Sequence, residues 1–183
     1  FFLTSLLRHP IQFPEIDPPT TLSAMKNPPA SVAHLDFVAG IPTLDLSHFT
    51  SGTPEQRQAF VDDLGAAYRT IGFAAISGHG VPPEVIGSMY TEAESFFALP
   101  NAVKMQHEHP EHNRQRGFVS FGTEHAKDSS AADLKEFWQT GRAYPEGGPQ
   151  PTYPKNIWPT AHVEGFQSVT ETLFSGMETL AKH

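Results

Sequence analysis

The sequence reads as an α+β fold, and three observations predict it. Two helices carry clear start signals, at Thr53-Pro54 and at Pro83. A third segment, from Phe166 to Leu180, places its apolar residues in one stripe at helical spacing. Between these lie short apolar or alternating segments bounded by glycine and proline, the pattern of brief strands.

Taken in order, residues 1–36 form a proline-rich tail, expected to be disordered or not native to the fold. It contains Pro10, Pro14, Pro18, Pro19, Pro28 and Pro29, and no helical or alternating period lasts two turns. The apolar stretch from Phe1 to Leu7 is too short for a signal-peptide core and has no basic leader. Met25-Lys26 is the expected native start. Regular structure opens at Ile41-Pro42-Thr43-Leu44-Asp45-Leu46, where Pro42 restricts the segment to a strand start or edge. Thr53 caps the first helix, Pro54 suits its first position and Gln56 completes a capping box. Phe60, Leu64, Ala67, Tyr68 and Ile71 mark its inner face, and Gly72 stops it. Phe73 to Ile76 reads as a short buried strand, followed by a turn at Gly78-His79-Gly80. The second helix spans about Pro83 to Phe97, with Val85, Ile86, Met89, Ala93, Phe96 and Phe97 inward. A short helix capped by Asn101 runs through Val103 and Met105. Strands follow at 116–121, with Phe118 alternating against Val119, and at 135–139. Pro145, Pro149, Pro151, Pro154 and Pro159 make the next segment a loop. The last helix, with Phe166, Val169, Leu173, Phe174, Met177 and Leu180 on one face, is expected to run uncapped to His183.

Composition narrows the chemistry. The chain has 183 residues with 38% hydrophobic content, room for a sizeable core. A net charge of −8 without a basic cluster argues against nucleic acid as a partner. Zero cysteine excludes disulfides, iron–sulfur clusters, thiolate zinc sites and a cysteine nucleophile. No apolar run approaches the roughly 18 residues of a membrane span.

Ten histidines invite a metal reading. The densest group, His107-Glu108-His109-Pro110-Glu111-His112, misses the zinc-protease pattern, which would need histidine at 111. Pro110 also breaks the helix that would align two imidazoles, so the group reads as a solvated loop, with adventitious nickel or zinc binding the alternative. His34-Leu35-Asp36 has the spacing of the His-x-Asp pair that binds iron with a distant histidine, yet it lies in the proline-rich approach, where nothing rigid would hold it. His79 reads as structural, bonded to neighbouring backbone. Arg116, before Gly117-Phe118, is a candidate carboxylate clamp or a surface ion pair. Asp133, Lys135 and Glu136 read as a salt-bridged strand end.

Six stretches together resemble the N-terminal half of the isopenicillin N synthase-like non-haem iron(II)/2-oxoglutarate-dependent dioxygenases. They are the strand Ile41 to Leu46; Gly72-Phe73 through Ser77-Gly78-His79-Gly80, similar to "GF…NHG" with glycine where asparagine is usual; and Phe96-Phe97-Ala98-Leu99-Pro100 with Lys104, similar to "FF.LP…K". The others are Arg116-Gly117-Phe118 for "RGY", Asp133-Leu134-Lys135-Glu136-Phe137-Trp138 for "D.KE.W", and Asn156-Ile157-Trp158-Pro159 for "N.WP". The resemblance covers about residues 41 to 183.

The resemblance implies an α+β portion of a distorted double-stranded β-helix (jelly roll) whose barrel core is incomplete in this chain. Residues 37–160 would be the dioxygenase N-terminal region and 161–183 the start of a long helix leading to the catalytic barrel. It implies an oxidoreductase that uses Fe(II), oxygen and 2-oxoglutarate on a small organic substrate, in the cytoplasm, without membrane or nucleic acid. The iron ligands, His-x-Asp and a later histidine, and the 2-oxoglutarate-binding Arg-x-Ser pair would lie on barrel strands outside this chain. No catalytic or metal-binding residue is therefore expected here, and the chain alone is expected to be inactive. Arg116 and Phe118 correspond to the region that lines the substrate pocket in relatives. The alternative is a non-catalytic binding or dimerisation module that presents the stripe from Phe166 to Leu180 to a partner.

Overall fold

A computed structural model describes residues 2–5 (backbone), 30–38, 40–123, 133, 135–144 and 152–183. The expected start at Met25, most of the proline-rich tail, Leu134 and the loop prolines 145, 149 and 151 lie outside the described residues. The chain divides into two compact units, Gln12–Gly80 and, with the first residues, Val81–Lys182.

In the first unit, strands β2 (Asp36–Val38), β3 (Ile41–Asp45) and β4 (Ala75–Ser77) form one sheet in that order. β2 runs antiparallel to β3, and β4 parallel to it, so the chain crosses over between β3 and β4 through helices α1 (Leu46–Thr50) and α2 (Pro54–Thr70). Helix α2 starts as its sequence predicts. The Thr53 hydroxyl accepts from the Gln56 amide at 3.3 Å, and the Gln56 side chain accepts from the Thr53 amide at 2.9 Å. Phe60 and Ala67 are buried on its inner face, whereas Tyr68, expected inward, is exposed. Asp45 ends β3 and caps α1 by accepting from the Ser47 amide at 2.8 Å, a helix absent from the sequence reading. The strand expected at 73–76 sits later, at 75–77, and is half-buried rather than buried, with Phe73 exposed. Part of the segment read as tail is ordered into the fold: residues 30–35 form a turn with Val32 buried, and β2 begins at Asp36.

The second unit is built on strands β1 (Phe2–Ser5), β6 (Glu136–Gln139) and β5 (Gly117–Val119), antiparallel in the order β1-β6-β5. Strand β1 likewise falls inside the segment read as tail. Helices α3 (Pro83–Phe97), α4 (Asn101–Lys104) and α5 (Phe166–Leu180) complete the unit. Met89, Ala93 and Phe96 of α3 and Phe166 and Leu173 of α5 join Phe118 and Trp138 in one core. Phe96 is its centre, with ring centroids 4.7 Å from Trp138, 5.8 Å from Phe166 and 5.9 Å from Phe118, mostly in edge-to-face arrangements. Thr170, the polar residue in the α5 stripe, is buried and donates to the Phe166 carbonyl at 2.6 Å. Strand β5 buries Gly117, Phe118 and Val119 alike rather than alternating. Helix α5 closes at Leu180 with the Ala181 amide on the Met177 carbonyl at 3.0 Å, short of the expected run to His183. Among the described residues no helix is long and apolar enough to cross a membrane.

Candidate functional site

The residues that carry chemistry in the second unit gather around β5 and β6. Lys104, closing α4, is buried with Glu136 of β6, and its Nζ donates to both carboxylate oxygens at 2.8 and 2.7 Å. The same Nζ lies 5.5 Å from the centroid of the Phe118 ring. Glu136 is therefore not part of the salt-bridged strand end read from the sequence; Lys135 pairs with Asp133 at 2.9 Å, and Glu136 takes its cation from 32 residues upstream.

Arg116 packs its guanidinium against Gly141 and over the Tyr153 ring, 5.5 Å from the centroid, while Nη1 donates to the Gln115 carbonyl at 2.6 Å. A Cβ at position 141 would collide with that guanidinium, so glycine there makes the space for it. Among the described residues Arg116 has no carboxylate partner, and its buried Nε has no hydrogen-bond partner. Phe118, the other pocket candidate, is fully buried in the aromatic core. Gly117 between them needs φ of +82°, and a side chain there would meet the His107 carbonyl. Asn156 completes the arrangement by holding Gly141 at both ends: its Oδ1 accepts from the amide at 3.0 Å and its Nδ2 donates to the carbonyl at 2.8 Å. An open groove of about 350 Å³ borders this clamp, lined by Thr140, Gly141, Arg142, Asn156, Glu171 and Phe174.

The histidines separate into three environments. His34 lies exposed and pairs with Asp63 of α2 at 2.7 Å, so the His34-Leu35-Asp36 tripeptide does not present a joint ligand set. His107 is partly buried among the rings of Phe96, Trp138 and His162. Burial, reinforced by His162 and His109, holds its pKa below the ordinary 6.5. His109, Glu111 and His112 come together in one turn and are the one group among the described residues whose donor atoms could share an ion. The hydrogen bond from His109, at 2.6 Å, keeps the Glu111 carboxyl below its usual range. His79 sits half-buried between two glycines with positive φ. Gly78, at φ +61°, packs against the Asp45 carboxylate, which a side chain at this position would meet.

Sequence reasoning missed Tyr153 and the partnership of Lys104 with Glu136. The available signal was that Lys104, Glu136 and Asn156 each stand within one of the six resembling stretches.

The family profile described as "non-haem dioxygenase in morphine synthesis N-terminal" matches residues 41–161. The chain belongs to this family. Among its relatives, the 2-oxoglutarate-dependent dioxygenase frbA of Dothideomycetidae sp. (strain 11243) is 32% identical over 152 residues, covering 76% of this chain and 44% of that protein. The proline hydroxylase buaE of Petromyces alliaceus is 32% identical over 146 residues, with the same coverage of 76% and 44%. A crystal structure assigned to the 2OG-Fe(II) oxygenase family, from Caulobacter crescentus, matches with a TM-score of 0.63 and 30% identity over 77% of this chain and 45% of that one. The chain thus spans less than half the length of the relatives it matches.

Proposed function

We propose that the complete protein is an iron(II)- and 2-oxoglutarate-dependent oxygenase or oxidase acting on a small organic substrate, and that this chain supplies the part preceding a distorted double-stranded β-helix. One observation carries the reading: the family motifs in this chain meet as a scaffold rather than as a ligand set. Lys104 of "FF.LP…K" is paired with Glu136 of "D.KE.W", Gly117 of "RGY" lies on the His107 carbonyl, and Asn156 of "N.WP" clamps Gly141. A His-x-Asp and third-histidine set is not assembled among the described residues, since His34 is tied to Asp63 and no other donor joins Asp36. The absence of that His-x-Asp arrangement among the described residues supports placing the ligands of iron and of 2-oxoglutarate in the remainder of the protein.

In this reading β5, which carries Phe118, and Arg116 just before it form one wall of the substrate pocket. Arg116 would offer a cation held over the Tyr153 ring, and Phe118 would support the wall from beneath. The assay is iron(II)-dependent conversion of 2-oxoglutarate to succinate. The complete protein should turn over and the 183-residue chain should not; turnover by the chain alone would overturn this division of labour.

A further inference from the structure

The turn between α4 and β5 holds a group of donors that the scaffold does not use. His109 Nδ1 lies 2.6 Å from Glu111 Oε1, and the rings of His109 and His112 stack with centroids 6.0 Å apart. One donor atom from each of His109, Glu111 and His112 lies within 4.8 Å of the others. Ligand atoms bonded to one ion at ~2.0–2.2 Å sit roughly 3–3.5 Å from each other. Glu111 and His112 are exposed, so side-chain rotation alone can close that difference. Among the described residues the His112 imidazole has no hydrogen-bond partner; its ring stacks on that of His109.

The backbone beneath these donors is fixed. Pro110 restricts the turn, and the amides of Asn113, Arg114 and Gln115 bond to the carbonyls of Pro110, His109 and His112 at 2.9, 3.2 and 3.1 Å. Glu108 is anchored by Ser120 at 3.1 Å to both oxygens and by Arg114 Nε at 2.8 Å. Its backbone also bridges to Gly117. A ligand meeting this turn does not need to order it, which removes a main cost of binding.

We propose that His109, Glu111 and His112 bind a borderline divalent transition-metal ion, of the zinc, nickel and copper class. Two imidazoles and a carboxylate match that class, whereas calcium and magnesium require oxygen-rich sets. Three protein ligands on an open face leave at least one coordination position for water. Occupancy would tie the two ends of the turn together immediately before β5, the strand of Phe118.

The test is zinc titration of the tag-free protein by calorimetry, with a thermal melt with and without zinc. The double variant His109→Gln/His112→Ala should lose one zinc equivalent and its zinc-dependent rise in Tm. Each single variant should weaken binding by at least ~10-fold, since even an outer-shell partner is worth 10–100-fold. Glu111→Gln should weaken it less, and His34→Ala, remote in sequence and paired with Asp63, should leave it unchanged. Because these side chains lie at the surface, the metal-free melts of all variants should match the wild type. Unchanged stoichiometry and affinity in the double variant, or displacement of zinc by excess calcium, would overturn the assignment.

Discussion

The two compact units are held by different means. The side-chain devices that set the helices of residues 30–80 are local: the reciprocal Thr53–Gln56 cap and the Asp45 cap on α1. Residues 81–182 rely on contacts between distant positions: the Phe96–Trp138–Phe166 cluster, the buried Lys104–Glu136 pair and the Asn156–Gly141 clamp. Four of the six family motifs fall in the second set. Family resemblance is therefore strongest where residues far apart in sequence must suit one another, and local capping, which many sequences satisfy, carries less of it.

This contrast can be broken by substitution. Lys104→Ala strands a buried carboxylate, and we expect a loss of about 3–5 kcal/mol in denaturant unfolding followed by tryptophan fluorescence. Lys104→Met combined with Glu136→Leu removes both charges and should recover most of it. A loss below 1 kcal/mol for Lys104→Ala would erase the distinction between the units. In residues 30–80, Thr53→Ala removes one exposed cap and should cost about 1 kcal/mol, read as faster amide exchange in the first turn of α2.

The same contrast decides what can be read from sequence. Helices α2 and α3 have their signals within a single turn: Thr53-Pro54-x-Gln56, and Pro83 followed by apolar residues at helical spacing. Helix α1 escaped because it spans one short turn and depends on an Asp45–Ser47 hydrogen bond inside what looks like strand sequence. Strand β5 was placed correctly but assigned one buried face, since alternation in six residues says nothing of what covers the second. At the candidate site, Arg116 and Phe118 were legible as a motif. Tyr153 was not, because it meets Arg116 from a proline-rich loop without periodicity. The His109–Glu111–His112 grouping was legible only as composition; Pro110, which rules out a continuous α-helix there, opens the single 3-10 turn Pro110–His112 that gathers the donors.

The aromatic setting of His107 makes the second unit sensitive to acid. Among the described residues its buried Nε2 has no hydrogen-bond partner, and the folded protein resists charging an imidazole that the unfolded chain protonates at the ordinary 6.5. Above 6.5 neither state holds the proton and the full stability is present; as pH falls below it, through the lowered folded value, the unfolded state takes up protons first and stability is lost. Thermal melts across that range should show Tm declining on the acid side, and His107→Asn should flatten the decline. An identical slope in the variant would mean that the proton uptake resides elsewhere. A ring that helps pack the core would thus also set how far the environment can acidify before that core opens.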